Sequence, residues 1–485
     1  MSATGPTPAT ASPAVAPERS VSVGAVVGLL VLFELTSGFL QGGITPLLPD
    51  IGHELGIPDA ELTWVISAQL LAAAVSVPVF GRLGDLHGHR RVLRVALVCV
   101  AVGALLTALA PATPVLLLGR VLLGPLAALL PLEIALVRDR LPVDQARSAI
   151  ARLVGALALG TLLGGVVMGA VNEATGDVRT TLLVPAVLAA VCVPVSFLRI
   201  PESARTAGGR LDWPGAVLLS LTMVSLLSGV SAAKDGGRLS GTVLGRLLLA
   251  VVLGAVWVLT ERRTKQPLVD VRALADRGAA PFFVGAVAFG VVYFGSLSPD
   301  ATFLAADPGR AGYGFGLSAL EISLVALPAA VAAVVTSSLT ARIAGRLGYV
   351  PALVLAFALI GTGFLVTAVL HAEVWQLVAA RALAGLGTGV ALGALPTVIA
   401  EGSDPSRTGV TTALYNNAKT LGGAVAGGVI VSLLASSARR GPGAGTPAES
   451  GYVTVWLLCA VIAFGAAAAS AVARRAGHDR CDRRR

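Results

Sequence analysis

The stretch Gly81-Arg82-Leu83-Gly84-Asp85-Leu86-His87-Gly88-His89-Arg90-Arg91 decides how the rest of the chain is read. It lies between two long apolar segments, about 61–80 and 92–110, and is the densest charge cluster of the first half. Two apolar helices joined by so short a link must run side by side and antiparallel, so the link marks one face of a membrane. A glycine at each end permits the tight reversal. One Asp among several Arg side chains reads as a charge latch, Asp85 with Arg90, rather than as a solvated turn.

Composition agrees. Hydrophobic residues fill 55% of the 485 positions, charged residues only 13%, and mean hydropathy is +0.82. Soluble domains carry about 25% charged residues, so a large soluble protein is excluded and a polytopic membrane protein is indicated. The net charge of +9 does not point to nucleic acid. Its basic residues are spread over short loops and the terminal Arg480-Cys481-Asp482-Arg483-Arg484-Arg485, a pattern of topology and lipid headgroups. Cys99, Cys192 and Cys459 lie in apolar segments and Cys481 in the tail, with neither metal-ligand spacing nor a disulfide framework. There is no phosphate-cradling Gly-x-x-x-x-Gly-Lys loop, and His53, His87, His89, His371 and His478 form no constellation. Neither an enzyme nor an ATP-driven pump is expected, and no cofactor or metal.

Runs of the ~20 apolar residues that cross a bilayer fall near 22–48, 61–83, 91–110, 113–137, 148–171, 180–200, 213–234, 241–261, 280–305, 317–344, 350–371, 373–400, 408–436 and 452–474. Fourteen is even, so both termini share one side. Loops on that side hold Arg82, Arg90, Arg91, Arg94, Arg138, Arg140, Arg147, Arg205, Arg210, Arg262, Arg263, Lys265, Arg272, Arg277, Arg342, Arg346 and Arg407. The opposite loops hold only Arg179, Lys234, Arg238, Arg310, Arg439 and Arg440. Positive residues stay inside, so both termini are expected in the cytoplasm and the protein in the cytoplasmic membrane. Residues 1–20, rich in Pro, Ala, Ser and Thr, read as a disordered cytoplasmic tail without a cleavable signal, and 476–485 as a basic tail.

The chain also repeats itself. Gly81–Gly88 has a worn copy at Ala341-Arg-Ile-Ala-Gly-Arg-Leu-Gly348, and Arg120-Val-Leu-Leu-Gly124 matches Arg381-Ala-Leu-Ala-Gly385, at offsets of 260 and 261. Two matches at nearly one offset divide the chain into a six-helix bundle over 21–204, an inserted two-helix region over 205–278 and a second six-helix bundle over 279–475. Duplicated halves are an architecture of secondary transporters, with substrate bound near midplane between them.

A charge at the bilayer centre costs roughly 2.5–3.5 kcal/mol on insertion scales, so each one needs a reason. Glu34 shares a helical stripe with Ser37, Gly38, Gln41 and Thr45. Two readings fit: a water-accessible cavity wall with Glu34 as proton carrier or cation partner, or a pairing that holds helices together. Arg120 either holds a deprotonated acid or anion, or snorkels and ties two helices. Glu133, thirteen residues on and so about 20 Å along the helix, either moves a proton or bridges to an Arg such as Arg138. Asn416, Asn417 and Lys419 suit substrate contacts or interhelical hydrogen bonds, and Gln69, which opens the second helix, and Arg381, which mirrors Arg120, are expected on the substrate cavity with them and with Ser37 and Gln41. Asp300 and Glu321, near helix ends, are expected among headgroups. Gly160, Gly164 and Gly165 form a small-residue seam for close packing, which also allows bending.

Gly81-x-Leu83-x-Asp85-x-x-Gly88-x-Arg90-Arg91 resembles the loop signature between helices two and three of the major facilitator superfamily. Leu116-x-x-x-Arg120-x-x-Leu123-Gly124 is similar to its fourth-helix motif, with Leu123 where glutamine is common. Leu211-Asp212-Trp213-Pro214-Gly215 and Glu261-Arg262-Arg263 bracket the inserted pair as in the fourteen-helix drug:proton antiporter group. The likeness spans essentially the whole chain. It implies an all-α polytopic membrane protein of major-facilitator-type fold, two six-helix bundles plus two inserted helices, working as a rocker switch.

Three positions depart from that pattern. Gly160-Thr161-x-x-Gly164-Gly165 lacks the proline of the helix-five antiporter motif, the usual first-helix acid falls on Leu40, and Leu86 replaces a basic residue in the loop. The expectation is a monomeric secondary transporter that exports a small lipophilic or cationic compound in exchange for protons. Its partners are that compound, protons and membrane lipids. Two rivals stay open: an uptake permease or facilitator for a polar metabolite, and a transport-inactive membrane scaffold or sensor.

Overall fold

Proline and the bilayer together shape the elements. A computed structural model describes residues 23–198, 212–232, 241–264, 267, 271, 280–401, 408–438 and 446–482. The tail 1–20, residues 483–485 and most of the segments joining the inserted pair to the two halves lie outside the described residues. Among the described residues there are helices and short connections and no strand. Thirteen helical stretches are long and apolar enough to cross a membrane, and a shorter apolar helix, Trp213–Leu226, occupies the place of the remaining expected span.

The first half comprises α1 (Val23–Gly43), α2 (Leu48–Leu55), α3 (Asp59–His87), α4 (His89–Ala108), α5 (Thr113–Leu122), α6 (Leu126–Arg140), α7 (Val143–Thr175) and α8 (Val178–Leu198). The inserted hairpin is α9 (Trp213–Ala232) and α10 (Gly241–Arg263). The second half comprises α11 (Ala280–Gly295), α12 (Leu297–Ala305), α13 (Pro308–Ala311), α14 (Ala319–Leu347), α15 (Tyr349–Val369), α16 (Val374–Glu401), α17 (Thr408–Ser436) and α18 (Glu449–Asp482).

Three spans that read as continuous apolar runs are broken. A proline cannot donate to the carbonyl four residues back and its ring crowds that carbonyl. Accordingly α1 ends at Gly43 ahead of Pro46, α5 ends at Leu122 ahead of Pro125, and α11 ends at Gly295 ahead of Pro299.

The duplication is visible in the packing. Helix α1 lies on α7, α3 on α5 and α6, and α4 on α8; correspondingly α11 lies on α17, α14 on α16, and α15 on α18. Gly88 and Gly348 occupy matching turns with φ of 95° and 88°, each ending one helix and starting the next. Each half has its own hydrophobic core. The halves meet through two equivalent pairs, α3 with α17 and α7 with α14.

Those contacts gather at one end of the molecule. Gly427 of α17 abuts Ser67 and Thr63, Gly423 abuts Leu70, and Gly169 of α7 abuts Leu320 of α14. The Ser323 hydroxyl donates to the Gly165 carbonyl at 2.7 Å. Ala60 belongs to the core of the second half and Ala319 to that of the first. Toward the other end of the same pair of helices, Gly155 and Gly345 have open space where a Cβ would sit. The inserted hairpin packs through α9 on α17 and α3, while α10 presents Leu248 and Val251, 64% and 68% exposed, as a face for lipid.

Candidate functional site

Glycines set the position of the first helix. A Cβ at Gly38 or Gly42 would strike the carbonyls of Leu157 and Thr161 on α7, and one at Gly160 or Gly164 would strike those of Leu35 and Phe39 on α1. The two backbones therefore touch, which larger residues forbid. Gly165 sits beside this seam with room to spare, and its carbonyl serves α14 instead.

With α1 pinned to α7, Glu34 turns inward, where it neighbours Glu133 of α6. Both residues are 0% exposed, and none of their carboxyl oxygens has a hydrogen-bond partner among the described residues. Two like charges enclosed side by side repel, so such a pair favours holding a proton. Cys192 of α8 completes the neighbourhood, its thiol 3.5 Å from the Thr36 hydroxyl.

The bridge from Glu133 to Arg138 considered from the sequence does not form: Arg138 is exposed near the end of α6, while Glu133 is enclosed. The signal for the true pairing was depth. Glu34 is eleven residues from the start of α1 and Glu133 seven from the end of α6, which places both about 10–17 Å from the same face.

Arg120 closes α5 just before the Pro125 break and is 3% exposed. Its Nε donates to the Val65 carbonyl of α3 at 2.8 Å, and it lines a small void with Phe39, Leu40, Ile44 and Met168. Of the two roles open to it, this geometry is that of a tie between helices. No carboxylate among the described residues pairs with it.

Arg381 has a different setting. It ion-pairs with Asp300 of α12 and lies 4.2 Å from the Phe364 ring centroid. The Asp300 carboxylate also accepts from Trp456 Nε1 at 2.9 Å. This corrects two expectations: Arg381 is held inside the second half rather than facing the cavity, and Asp300 is an interior counter-ion rather than a headgroup contact. Both follow from the break at Gly295, which swings α12 toward α16 and α18. Glu321 does reach the surface, where it forms a capping box with Ser318.

The remaining polar candidates are scattered over α1, α3 and α17. Gln41 is exposed and donates from Nε2 to the buried Ser37 hydroxyl at 3.2 Å. Gln69, Asn416 and Lys419 are half-buried and Asn417 is buried. The Lys419 ammonium lies 6.0 Å from the Phe294 centroid and 5.8 Å from that of Tyr415. Tyr415 stands one turn before Lys419 on α17 and was within reach of the sequence, whereas Phe294 comes from α11 and only packing brings it there.

At the turn, Asp85 is 3.9 Å from Arg82 and 3.4 Å from His89 Nε2. The latch expected between Asp85 and Arg90 is built instead from Arg82 and His89. They stand three residues before and four after Asp85, so both share its side of the α3–α4 junction. Gly81 has open space around it, Arg91 is exposed, and Arg90 carries a buried Nε without a hydrogen bond among the described residues.

A family model described as Major Facilitator Superfamily matches residues 30–427. The "Uncharacterized MFS-type transporter EfpA" of Mycobacterium tuberculosis is 30% identical over 51% of this chain and 46% of its own length, so the match spans less than half of that relative. The "Cephamycin export protein CmcT" of Amycolatopsis lactamdurans is 29% identical over 84% of this chain and 83% of its own. Among solved structures, a peptide transporter POT in complex with sulfate has a TM-score of 0.68 at 15% identity, covering 93% of this chain and 95% of that one, a likeness of fold alone. Repeated six-helix halves, matching glycine turns, contact between halves through equivalent helices and a family match over most of the length lead to one conclusion: this multi-pass membrane protein belongs to the Major Facilitator Superfamily.

Proposed function

We propose that the protein exports a small organic compound in exchange for protons, and the observation that carries this reading is the enclosed Glu34–Glu133 pair. Two neighbouring enclosed acids, with no ion pair to a cation among the described residues, form a site whose occupancy by a proton must differ between states that expose and enclose it. That difference in affinity is what couples a proton to a conformational change. With the Arg-rich loops on the cytoplasmic side, the ends of α7 and α14 marked by Gly155 and Gly345 would part into a cleft open inward, shut at its far end by the α3–α17 and α7–α14 contacts. A substrate loading from the cytoplasm would then meet Ser37, Gln41, Gln69, Asn416, Asn417 and Lys419. Similarity to a protein named for cephamycin export supports the outward direction.

In this reading Arg120 positions α5 against α3, the Asp85 cluster latches the cytoplasmic end, and the α1–α7 glycine seam is the surface on which the first half flexes. The test uses the full chain in proteoliposomes with a pH-sensitive dye inside, challenged with a compound panel that includes a cephamycin. A transported compound should drive proton movement in the wild type, and Glu34→Gln and Glu133→Gln should each reduce it at least about ten-fold, one tenfold step being about 1.4 kcal/mol. Flux that ignores both an imposed proton gradient and the two substitutions overturns the proposal.

A further inference from the structure

Lys419, Gly423 and Gly427 follow one another at four-residue steps and form a single stripe on α17. Gly427 meets Ser67 of α3, and Gly423 meets Phe294 of α11 and Leu70 of α3, so the stripe runs from the contact with α3 to the edge between α3 and α11. Lys419 lies one turn further toward the open end, half-buried, with its backbone against Gly290 of α11. Its ammonium is flanked by the rings of Phe294 and Tyr415. No carboxylate and no hydrogen-bond acceptor among the described residues pairs with it. Glu34 and Glu133 are enclosed within the first half. One turn before the lysine, the Tyr415 hydroxyl is buried without a partner among the described residues.

An ammonium at this depth requires a counter-charge, and ring faces supply only part of one. We propose that this wall of the cleft is a subsite for a compound carrying an aromatic ring and an acidic group, with Lys419 as its counter-ion. The proposal rests on the transport reading above and narrows it. A cationic compound would be repelled at the same place, and that repulsion is the selective element. A small inorganic anion would leave the rings of Phe294 and Tyr415 uncovered. The lipophilic or cationic cargo implied by the family resemblance thus gives way to an anionic aromatic one.

The experiment is equilibrium binding, by fluorescence anisotropy, of fluorescein (anionic) and ethidium (cationic) to the purified full-length protein without any gradient. Because no proton flux is involved, failure of proton coupling leaves the result untouched, and failure here leaves the coupling assay untouched. Wild type should bind fluorescein more tightly than ethidium. Lys419→Gln should weaken fluorescein about ten-fold or more, the range for a charge-assisted contact, while Lys419→Arg keeps it within a few-fold. Phe294→Leu, which preserves bulk but removes the ring, should weaken it several-fold. Circular dichroism melts of each variant establish that it is folded. Ethidium preferred or equal in the wild type, no detectable fluorescein binding, or unchanged fluorescein affinity in folded Lys419→Gln each overturns the proposal.

Discussion

Glu34 and Glu133 each bring to the interior a charge that would cost roughly 2.5–3.5 kcal/mol on an otherwise apolar helix. In the proposed role a proton held by the pair removes one of the two charges, which would let two acids share an enclosed space. They should act as one unit, so the double substitution Glu34→Gln/Glu133→Gln is expected to lose no more proton-coupled flux than either single one. A double-mutant cycle on dye-reported flux checks this, and additive losses would separate the two residues. Asp300 and Arg381 present the opposite case. Removing one member of a buried pair strands the other, at about 3–5 kcal/mol. Asp300→Ala should therefore sharply lower the thermal midpoint and the yield of monodisperse protein, more than it lowers binding in what remains folded. Glu34 was legible in the sequence because a lone acid in an apolar run demands an explanation. Its partner was not, because pairing depends on how α1 and α6 are turned about their axes.

The α1–α7 contact makes a sharp distinction between neighbouring glycines. Gly160 faces the Leu35 carbonyl at a distance that leaves no room for a methyl group, whereas Gly165 has its nearest atom, the Gly42 carbonyl oxygen, 3.8 Å from where a Cβ would be. Gly160→Ala should destabilise the protein by about 1–3 kcal/mol through overpacking, while Gly165→Ala should lie within about 0.5 kcal/mol of wild type. Thermal midpoints of the two purified variants decide the matter, and equal midpoints would mean that the helices can slide apart at no cost. The sequence marked the seam as a unit of small residues, yet it could not say which glycine faces α1 and which faces α14. The broken spans were hidden for a related reason. A bilayer selects some twenty apolar residues whether or not the helix is continuous, so the runs over 22–48, 113–137 and 280–305 read as single rods.

At the scale of the whole molecule, the halves touch at one end through α3 with α17 and α7 with α14. If transport requires these contacts to part, tying them together should stop it. A Ser67→Cys/Gly427→Cys pair joins two positions already in contact. Oxidation should abolish flux and a reductant should restore it, with either single cysteine insensitive. Flux that survives complete cross-linking would show that this end never opens. The sequence by itself determined the membrane class, the number and approximate limits of the spans, the duplicated halves and the family. The membrane class, spans and halves follow from hydropathy and repetition along the chain, which the bilayer reads one segment at a time, and the family from the likeness of the Gly81–Arg91 and Leu116–Gly124 motifs. Only the tertiary structure decided that Glu133 belongs with Glu34, that Arg381 is sequestered by Asp300, and that Lys419 stands between two rings at the cleft. Those facts depend on the rotation and tilt of packed helices, which are set by contacts between segments far apart in the chain.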